Sequence, residues 1–180
     1  MIQKYKILLI SHDLVITGAS LSLFNIAKLL QDKYEISVLS YGDEEYKNLN
    51  INVDILQKNF NIKTYVKQLK NFDLVIINTV IAARFTDICR RYEIPHIWLI
   101  REATNIPNYY CANEVKPISL PKNINKNENI YVTSEYAKDF VDDTYNQNVG
   151  VLHNFIADEL KEFHQQSYIN KEKLTFSIVG

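Results

Sequence analysis

The sequence predicts an α/β fold with a mainly parallel sheet and helices on both faces, and two observations support this prediction. Four continuous apolar runs each end in polar residues, at Ser11-His12, Asn78-Thr79, Arg101-Glu102 and Thr133-Ser134. Strands that helices cover on both faces are apolar throughout, and ligands bind at the carboxyl ends of such strands. Apolar residues at helical spacing lie between the runs, so strand and helix alternate and crossover connections are required. The polar strand ends therefore mark a candidate site as well.

Seven strands are predicted in chain order. The first covers residues 7–11, and the others cover 36–39, 53–56, 74–77, 96–100, 130–133 and 149–152. Spacing of the type i, i+3, i+4, i+7 predicts the helices between them. Their apolar stripes are Leu23, Ile26, Ala27 and Leu30; then Ile62, Val66 and Leu69; then Ile81, Phe85 and Ile88. Ser134 can cap a helix through Val141, and residues 156–163 form a closing helix.

Length, composition and cysteine content limit the classes of protein. The chain has 180 residues, 47% of them hydrophobic, and a net charge of -1. We expect one folded unit and no nucleic-acid partner. Cys89 and Cys111 have no zinc-site or disulfide spacing, so we expect reduced thiols and no metal. The apolar run at 7–10 is too short for a signal peptide and the run at 74–83 too short to span a bilayer, which predicts a soluble, cytoplasmic protein.

Two segments depart from the alternating pattern. Residues 105–129 contain three prolines and many Asn and Lys residues, which predicts a flexible excursion over the cleft. Residues 173–180 alternate like a strand and stop at a glycine, after a polar, hinge-like segment. We therefore expect the chain to be the front part of a longer protein with two domains.

The loop after the first strand contains Thr17-Gly18-Ala19 and leads into a helix. A helix amino terminus offers unpaired N–H groups, so a glycine there allows a phosphate or a sugar hydroxyl to approach. The alternative is structural: Gly18 turns the chain and Ser20 caps the helix. Neither the dinucleotide motif GxGxxG nor the P-loop motif is present, so no nicotinamide cofactor is expected.

The other polar residues at strand ends also have two interpretations. Arg101 and Glu102 could orient sugar hydroxyls or bind a phosphate, or they could form a surface ion pair. His12 and His153 lie beside strand ends but have no triad partner in the sequence, and a lone histidine is more often structural. The lysines at 58, 63, 67 and 70 are typical of a solvated helix face; the less common alternative is contact with an anionic membrane.

Four segments together resemble the amino-terminal half of a GT-B glycosyltransferase of the large retaining family 4. They are the loop 17–23, the segment 97–103, the turn 153–158 and the end 174–180, and they occur in the family's order along the whole chain. The resemblance implies a Rossmann-like domain on the acceptor side, at 1–165. Residues 166–180 would then be the hinge and first strand of a missing nucleotide-sugar domain.

The resemblance also implies an activity and a set of binding residues. The protein would transfer a sugar from a nucleotide-sugar donor to a glycan or lipid-linked acceptor, in bacterial polysaccharide biosynthesis. Peripheral contact with the inner face of the membrane is compatible with that role. The catalytic residues would lie in the missing domain, so this chain alone would be inactive. The implied donor- or acceptor-binding residues are Thr17, Gly18, Ala19, Arg101, Glu102, Ser134 and Asn154. The alternative is a non-enzymatic, flavodoxin-like module that binds a nucleotide or another ligand.

Three of the segments that carry the resemblance each depart from the family pattern at one position. Gly18 matches one glycine of the family's pair, and Ala19 replaces the other. Arg101 stands where the family often has histidine, while Glu102 matches. Asn154 is retained in a turn that lacks the family's glycine.

Overall fold

The computed structural model describes residues 4–15, 17–40, 54–56, 62–102, 129–145 and 147–154. These ranges contain seven strands, four α-helices and one 3₁₀ turn. The strands are β1 (Lys6–Ser11), β2 (Glu35–Ser40), β3 (Asp54–Leu56), β4 (Leu74–Asn78), β5 (His96–Ile100), β6 (Ile130–Val132) and β7 (Gly150–Val151). The helices are α1 (Gly18–Leu30), α2 (Ile62–Leu69), α3 (Arg84–Arg91) and α4 (Glu135–Tyr145), and the 3₁₀ turn is Val80–Ala82.

All seven strands form one sheet in the order β3-β2-β1-β4-β5-β6-β7. Every neighbouring pair is parallel; Ile7 lies opposite Ile36 on one side and Leu74 on the other. The order 3-2-1-4-5-6 is that of Rossmann-type sheets, whereas flavodoxin-like sheets have the order 2-1-3-4-5. The predicted parallel α/β sheet is therefore confirmed, and its order is not flavodoxin-like.

Helices cover both faces of the sheet, which explains why the strands are continuously apolar. In β1, Leu8 and Ile10 belong to one apolar cluster while Ile7 and Leu9 belong to the other. The first cluster packs the sheet against α2, α3 and α4, and the second packs it against α1. Both faces of the central strands are thus removed from water, and this burial is the main source of stability.

The structure corrects two details of the expected helices. Helix α1 begins at Gly18, and its cap is Thr17, whose Oγ1 accepts a hydrogen bond from the N–H of Ser20 at 3.4 Å. Ser20 lies inside the first turn, so it is not the cap. Ile81 belongs to the 3₁₀ turn, and α3 begins only at Arg84. The turn interrupts the helical spacing that linked Ile81 to Phe85.

Several expectations concern residues outside the described ranges. These are the flexible excursion at 105–129, apart from Asn129, the closing helix at 156–163, the hinge and the strand at 164–180, and the state of Cys111. Cys89 is described: it is a buried free thiol, and burial raises its pKa to about 12.

Candidate functional site

A cavity of about 640 Å³ lies at the carboxyl edge of the sheet. This volume is in the range of small-molecule sites, and the edge is where ligands bind in parallel α/β sheets. Loops that follow β1, β4, β5, β6 and β7 meet there. Among the described residues, the lining consists of His12, Asp13, Thr17, Gly18, Ala19, Thr79, Arg101, Glu102, Thr133 and Asn154.

Six of the seven residues that the sequence suggested as binding residues line this one cavity. They come from segments far apart in the chain: Thr17, Gly18 and Ala19 from the start of α1, Arg101 and Glu102 from the end of β5, and Asn154 after β7. Ser134 is not among the lining residues. Its Oγ accepts a hydrogen bond from the N–H of Ala137 at 3.2 Å, so it caps α4.

Gly18 occupies the first position of α1 and leaves open space beside it. A Cβ atom added at Gly18 would meet no heavy atom within 4 Å, and no described glycine has a positive φ. Neither a backbone conformation nor a close contact within the described chain requires glycine here. The structure thus gives no support to the view that Gly18 turns the chain.

Arg101 is held in place by asparagine side chains from two other segments. Its Nε donates to Asn78 Oδ1 at 3.0 Å, and its Nη1 donates to Asn154 Oδ1 at 2.5 Å. Both asparagines make a second bond to α1: Asn78 Nδ2 donates to the carbonyl of Ala19, and Asn154 Oδ1 accepts from Ser22 Oγ. The guanidinium therefore connects the ends of β4, β5 and β7 to the start of α1.

Glu102 points back onto the backbone beside the cavity. Its Oε2 accepts hydrogen bonds from the N–H of Val80 at 3.2 Å and the N–H of Arg101 at 3.0 Å. Burial raises the pKa of Glu102, and the backbone N–H groups and the charge of Arg101 oppose that rise only in part. The carboxyl group joins the end of β5 to the turn after β4, an arrangement different from the surface ion pair considered from the sequence.

His12, Asp13 and Thr79 form a hydrogen-bonded cluster that sequence reasoning missed. His12 Nε2 lies 2.8 Å from Asp13 Oδ2, and His12 Nδ1 lies 3.3 Å from Thr79 Oγ1. Burial lowers the pKa of His12 against the opposing influence of Asp13, which favours the neutral ring. A neutral ring with its proton on Nε2 satisfies both contacts, because it donates to Asp13 and accepts from the Thr79 hydroxyl. Position beside a strand end was the available signal; the pairing required the fold.

Thr79 has a strained backbone within this cluster. Its φ of 69° and ψ of 164° lie in a region that a β-branched residue rarely adopts. Its N–H donates to the carbonyl of Leu99 at 2.8 Å, and its carbonyl accepts from Trp98 Nε1 at 2.9 Å. Neighbouring strand β5 therefore holds Thr79 in this conformation. Strain that is held in this way is typical of functional sites.

Other features of the described residues bear on partners. No group of three or more potential metal ligands occurs within the described ranges. No helix in the same ranges has the length and apolar character that a membrane span needs. Lys63, Lys67 and Lys70 are exposed on and after α2, and Lys70 Nζ lies 5.7 Å from the centre of the Tyr92 ring.

The fold and cavity define a domain of Rossmann-type order with a candidate ligand site at its carboxyl edge, and sequence comparison gives its family. The model of glycosyl-transferase family 4 matches residues 3–149. The chain therefore belongs to glycosyl-transferase family 4, which confirms the predicted family and makes it a glycosyltransferase domain. No curated protein sequence matches the chain significantly.

Solved structures support the same fold. HepE from Anabaena in complex with UDP-glucose is similar, with a TM-score of 0.69 and 17% identity over 86% of this chain and 45% of that chain. HepE in complex with UDP and glucose gives a TM-score of 0.64 and 18% identity over 87% and 46%. A glycosyltransferase from Rickettsia africae gives 0.61 and 16% over 88% and 48%. The chain thus spans about half the length of these proteins, and its fold is that of the amino-terminal part of GT-B enzymes.

Proposed function

We propose that this chain is the acceptor-side domain of a retaining glycosyltransferase. The complete protein takes a sugar from a nucleotide-sugar donor and transfers it to a glycan or lipid-linked acceptor in bacterial polysaccharide biosynthesis. Residues 1–165 form the acceptor-side domain, and residues 166–180 form the hinge and first strand of a second domain that binds the nucleotide. The protein acts in the cytoplasm.

One observation supports this proposal above all. Polar groups from five segments meet in one cavity at the carboxyl edge of the sheet, in a chain of glycosyl-transferase family 4. HepE was solved with UDP-glucose and with UDP and glucose, and the chain spans about half of that protein. A donor held by a second domain would face the same cavity, so donor and acceptor would meet between the two domains.

The domain's contribution to the reaction is positioning and electrostatic stabilisation. The amino terminus of α1 points its partial positive charge at the cavity, and Gly18 leaves room there for a phosphate or a sugar hydroxyl. In a retaining transfer, positive charge develops on the sugar while the leaving diphosphate gains negative charge. The catalytic groups that complete the reaction belong to the second domain, so this chain alone is inactive.

The test is a comparison of this chain with the full-length gene product. We expect release of nucleoside diphosphate from a panel of UDP-sugars only with the longer protein, and the sequence after Gly180 should encode a second βα domain. Gly18→Val in the longer protein should lower kcat/KM, because the added side chain fills open space beside α1. Ala83→Val would be a poor control, because Ala83 is completely buried and a larger side chain would disturb the packing there. The control is therefore Lys33→Gln, a substitution at an exposed residue. Turnover by the purified 180-residue chain would contradict the proposal.

The exposed lysine face of α2 supports peripheral contact with an anionic membrane as part of this function. Lys63, Lys67 and Lys70 are spaced on one side of the helix and its end. Sedimentation with vesicles of anionic lipid tests the contact. Binding should weaken at high salt and in the variant with all three lysines changed to glutamine, and equal binding to neutral vesicles would contradict it.

The flavodoxin-like module has no observation in its favour. Its sheet order differs from the one found here, and the family match is to glycosyltransferases.

A further inference from the structure

We propose that Arg101 makes this cavity specific for a sugar that bears an oxyanion, either a carboxylate or a phosphate. The inference rests on the proposed sugar transfer and adds the chemical class of the substrate to it. It comes from one nitrogen of the Arg101 guanidinium, which is buried and has no partner among the described residues.

The guanidinium is preorganised by its neighbours. Two of its three nitrogens are engaged: Nε by Asn78 and Nη1 by Asn154. Because both asparagines are also bonded to α1, the plane of the guanidinium is held from two sides. Binding through the third nitrogen would then cost little side-chain entropy.

The third nitrogen, Nη2, is buried and has no hydrogen-bond partner among the described residues. A buried donor of a charged group without an acceptor costs free energy, and the cost is recovered when an acceptor arrives. Burial accordingly lowers the pKa of Arg101, although a guanidinium stays protonated at neutral pH. A lining residue of the cavity therefore carries a fixed positive charge with one donor still to be satisfied.

The nearby carboxylates do not satisfy this donor. Glu102 Oε2 accepts from the backbone N–H groups of Val80 and Arg101, and Asp13 bonds to His12 and Ser20. Both groups are held by these bonds, so neither of these carboxylates is the partner of Nη2, and a ligand in the cavity that Arg101 lines can supply the acceptor. An anionic acceptor is favoured over a sugar hydroxyl, since it also neutralises the buried positive charge and its geometry matches that of a guanidinium.

The chemistry of the side chain at this position favours an oxyanion. A neutral imidazole would donate one hydrogen bond and could serve a hydroxyl, whereas a guanidinium matches the geometry of carboxylates and phosphates. We therefore expect Arg101 to select an acidic sugar over a neutral one.

The experiment measures ligand binding to this chain by calorimetry, so it does not depend on transfer. The probes are methyl glucuronide, glucose 1-phosphate, methyl glucoside and UDP. We expect the glucuronide or the sugar phosphate to bind at least about tenfold more tightly than the neutral glycoside, as loss of a charged hydrogen bond implies. Whichever of the two binds more tightly identifies the carboxylate or the phosphate as the source of the oxyanion.

Variants then assign the preference to Arg101. Arg101→Gln should abolish the preference for the charged sugar, Arg101→Lys should retain part of it, and the exposed Lys33→Gln should leave it unchanged. Circular dichroism checks the fold of each variant. If a variant does not fold, the comparison of charged with neutral sugars on the unaltered chain still tests the inference. Arg101→His should shift the preference towards the neutral glycoside.

Three results would overturn the inference. The first is equal binding of charged and neutral sugars, or no binding of either charged sugar. The second is a preference that survives in Arg101→Gln. The third is Arg101-dependent binding of UDP alone, since the site would then serve the donor's diphosphate. If the full-length protein transfers a sugar in any of these three cases, the proposed function stands and only the preference for an acidic sugar is wrong. If this chain binds an acidic sugar but the full-length protein transfers none, the proposed function is wrong and the preference stands.

Discussion

Thr79 is one of two described non-glycine residues with a positive φ, and it is the one that lines the cavity. Strain of this kind costs on the order of 1–3 kcal/mol, and it persists because surrounding groups determine the conformation. Here those groups are Leu99 and Trp98 on β5 and His12 directly after β1. Because the Thr79 hydroxyl bonds to His12 in the cavity, the strain places a side chain in the candidate site.

The first prediction compares glycine with alanine at Thr79. Both substitutions remove the hydroxyl, but only Thr79→Gly relieves the positive φ, so it should be more stable than Thr79→Ala by about 1 kcal/mol. Urea titration gives the two free energies of unfolding. The controls are Lys67→Gly and Lys67→Ala at an exposed position in α2. There the alanine variant should be the more stable by about 1 kcal/mol, because glycine is unfavourable within a helix. An alanine advantage at Thr79 would show that the backbone is not strained.

The second prediction concerns Glu102 and pH. Because burial raises its pKa in the folded state, the native protein binds more protons than the unfolded chain between the two pKa values. The contribution of Glu102 to stability therefore falls as pH rises through that window. Glu102→Gln keeps acceptors for Val80 and Arg101 and removes the titration. The free energy of unfolding of the variant minus that of the wild type should increase from pH 4 towards neutral pH.

Urea titrations at several pH values measure this difference. Glu35→Gln, on the exposed amino end of β2, is the matched carboxylate control. A difference for Glu102→Gln that decreases with rising pH would mean that hydrogen bonding, and not burial, dominates the pKa of Glu102.

At the scale of elements, two helices begin with the same device but face different surroundings. Thr17 caps α1 beside the cavity, and Ser134 caps α4, where it is not a lining residue. A helix start offers unpaired N–H groups in both cases, and a hydroxyl satisfies one of them. Of these two capping residues, Thr17 lines the cavity and Ser134 does not.

The third prediction follows from this difference. Thr17→Ala and Ser134→Ala should each lower the free energy of unfolding by about 1 kcal/mol, the usual cost of a lost cap. Thr17→Ala should also weaken binding of sugar ligands, whereas Ser134→Ala should leave it unchanged. Thr17→Ser and Ser134→Thr keep the hydroxyl and serve as controls. Weaker ligand binding in Ser134→Ala, with the fold intact, would restore Ser134 to the site.

At the scale of the whole molecule, burial is concentrated in the middle of the sheet. Strand β1 is paired on both sides, and Leu8, Leu9 and Ile10 are completely buried. Strand β7 has two residues, both partly exposed, and pairs only with β6 among the described strands. Opening of β7 therefore exposes much less apolar surface than opening of β1.

The fourth prediction is an order of amide exchange in the isolated chain. The amides of residues 8–10 and 75–77 should exchange most slowly, at the rate set by global unfolding, and those of β7 should exchange much faster. Hydrogen exchange followed by mass spectrometry measures both. Equal protection of β7 and β1 would indicate that the sheet opens as one unit.

The sequence by itself determined the sheet, its parallel character and the family. Runs such as 7–10 and 74–77 are continuously apolar because helices cover both faces, and that pattern is local enough to identify without coordinates. Gly18 and Arg101 were predicted at the carboxyl edge because parallel strands end there, Asn154 was predicted from the family resemblance, and all three line the cavity. The cap of α1 was wrong in the structural alternative, because Thr17 and Ser20 are both suitable hydroxyls within four residues and the structure uses Thr17.

Only the tertiary structure decided how these residues are connected. The bond between His12 and Thr79 joins residues 67 positions apart, and the bond between Arg101 and Asn154 joins residues 53 positions apart. Hydrogen bonds of this kind depend on strand order and register, which no local pattern records. The conformation of Thr79 and the buried Nη2 of Arg101 arise in the same way, because neighbouring strands impose them on residues whose own sequence would allow many other arrangements.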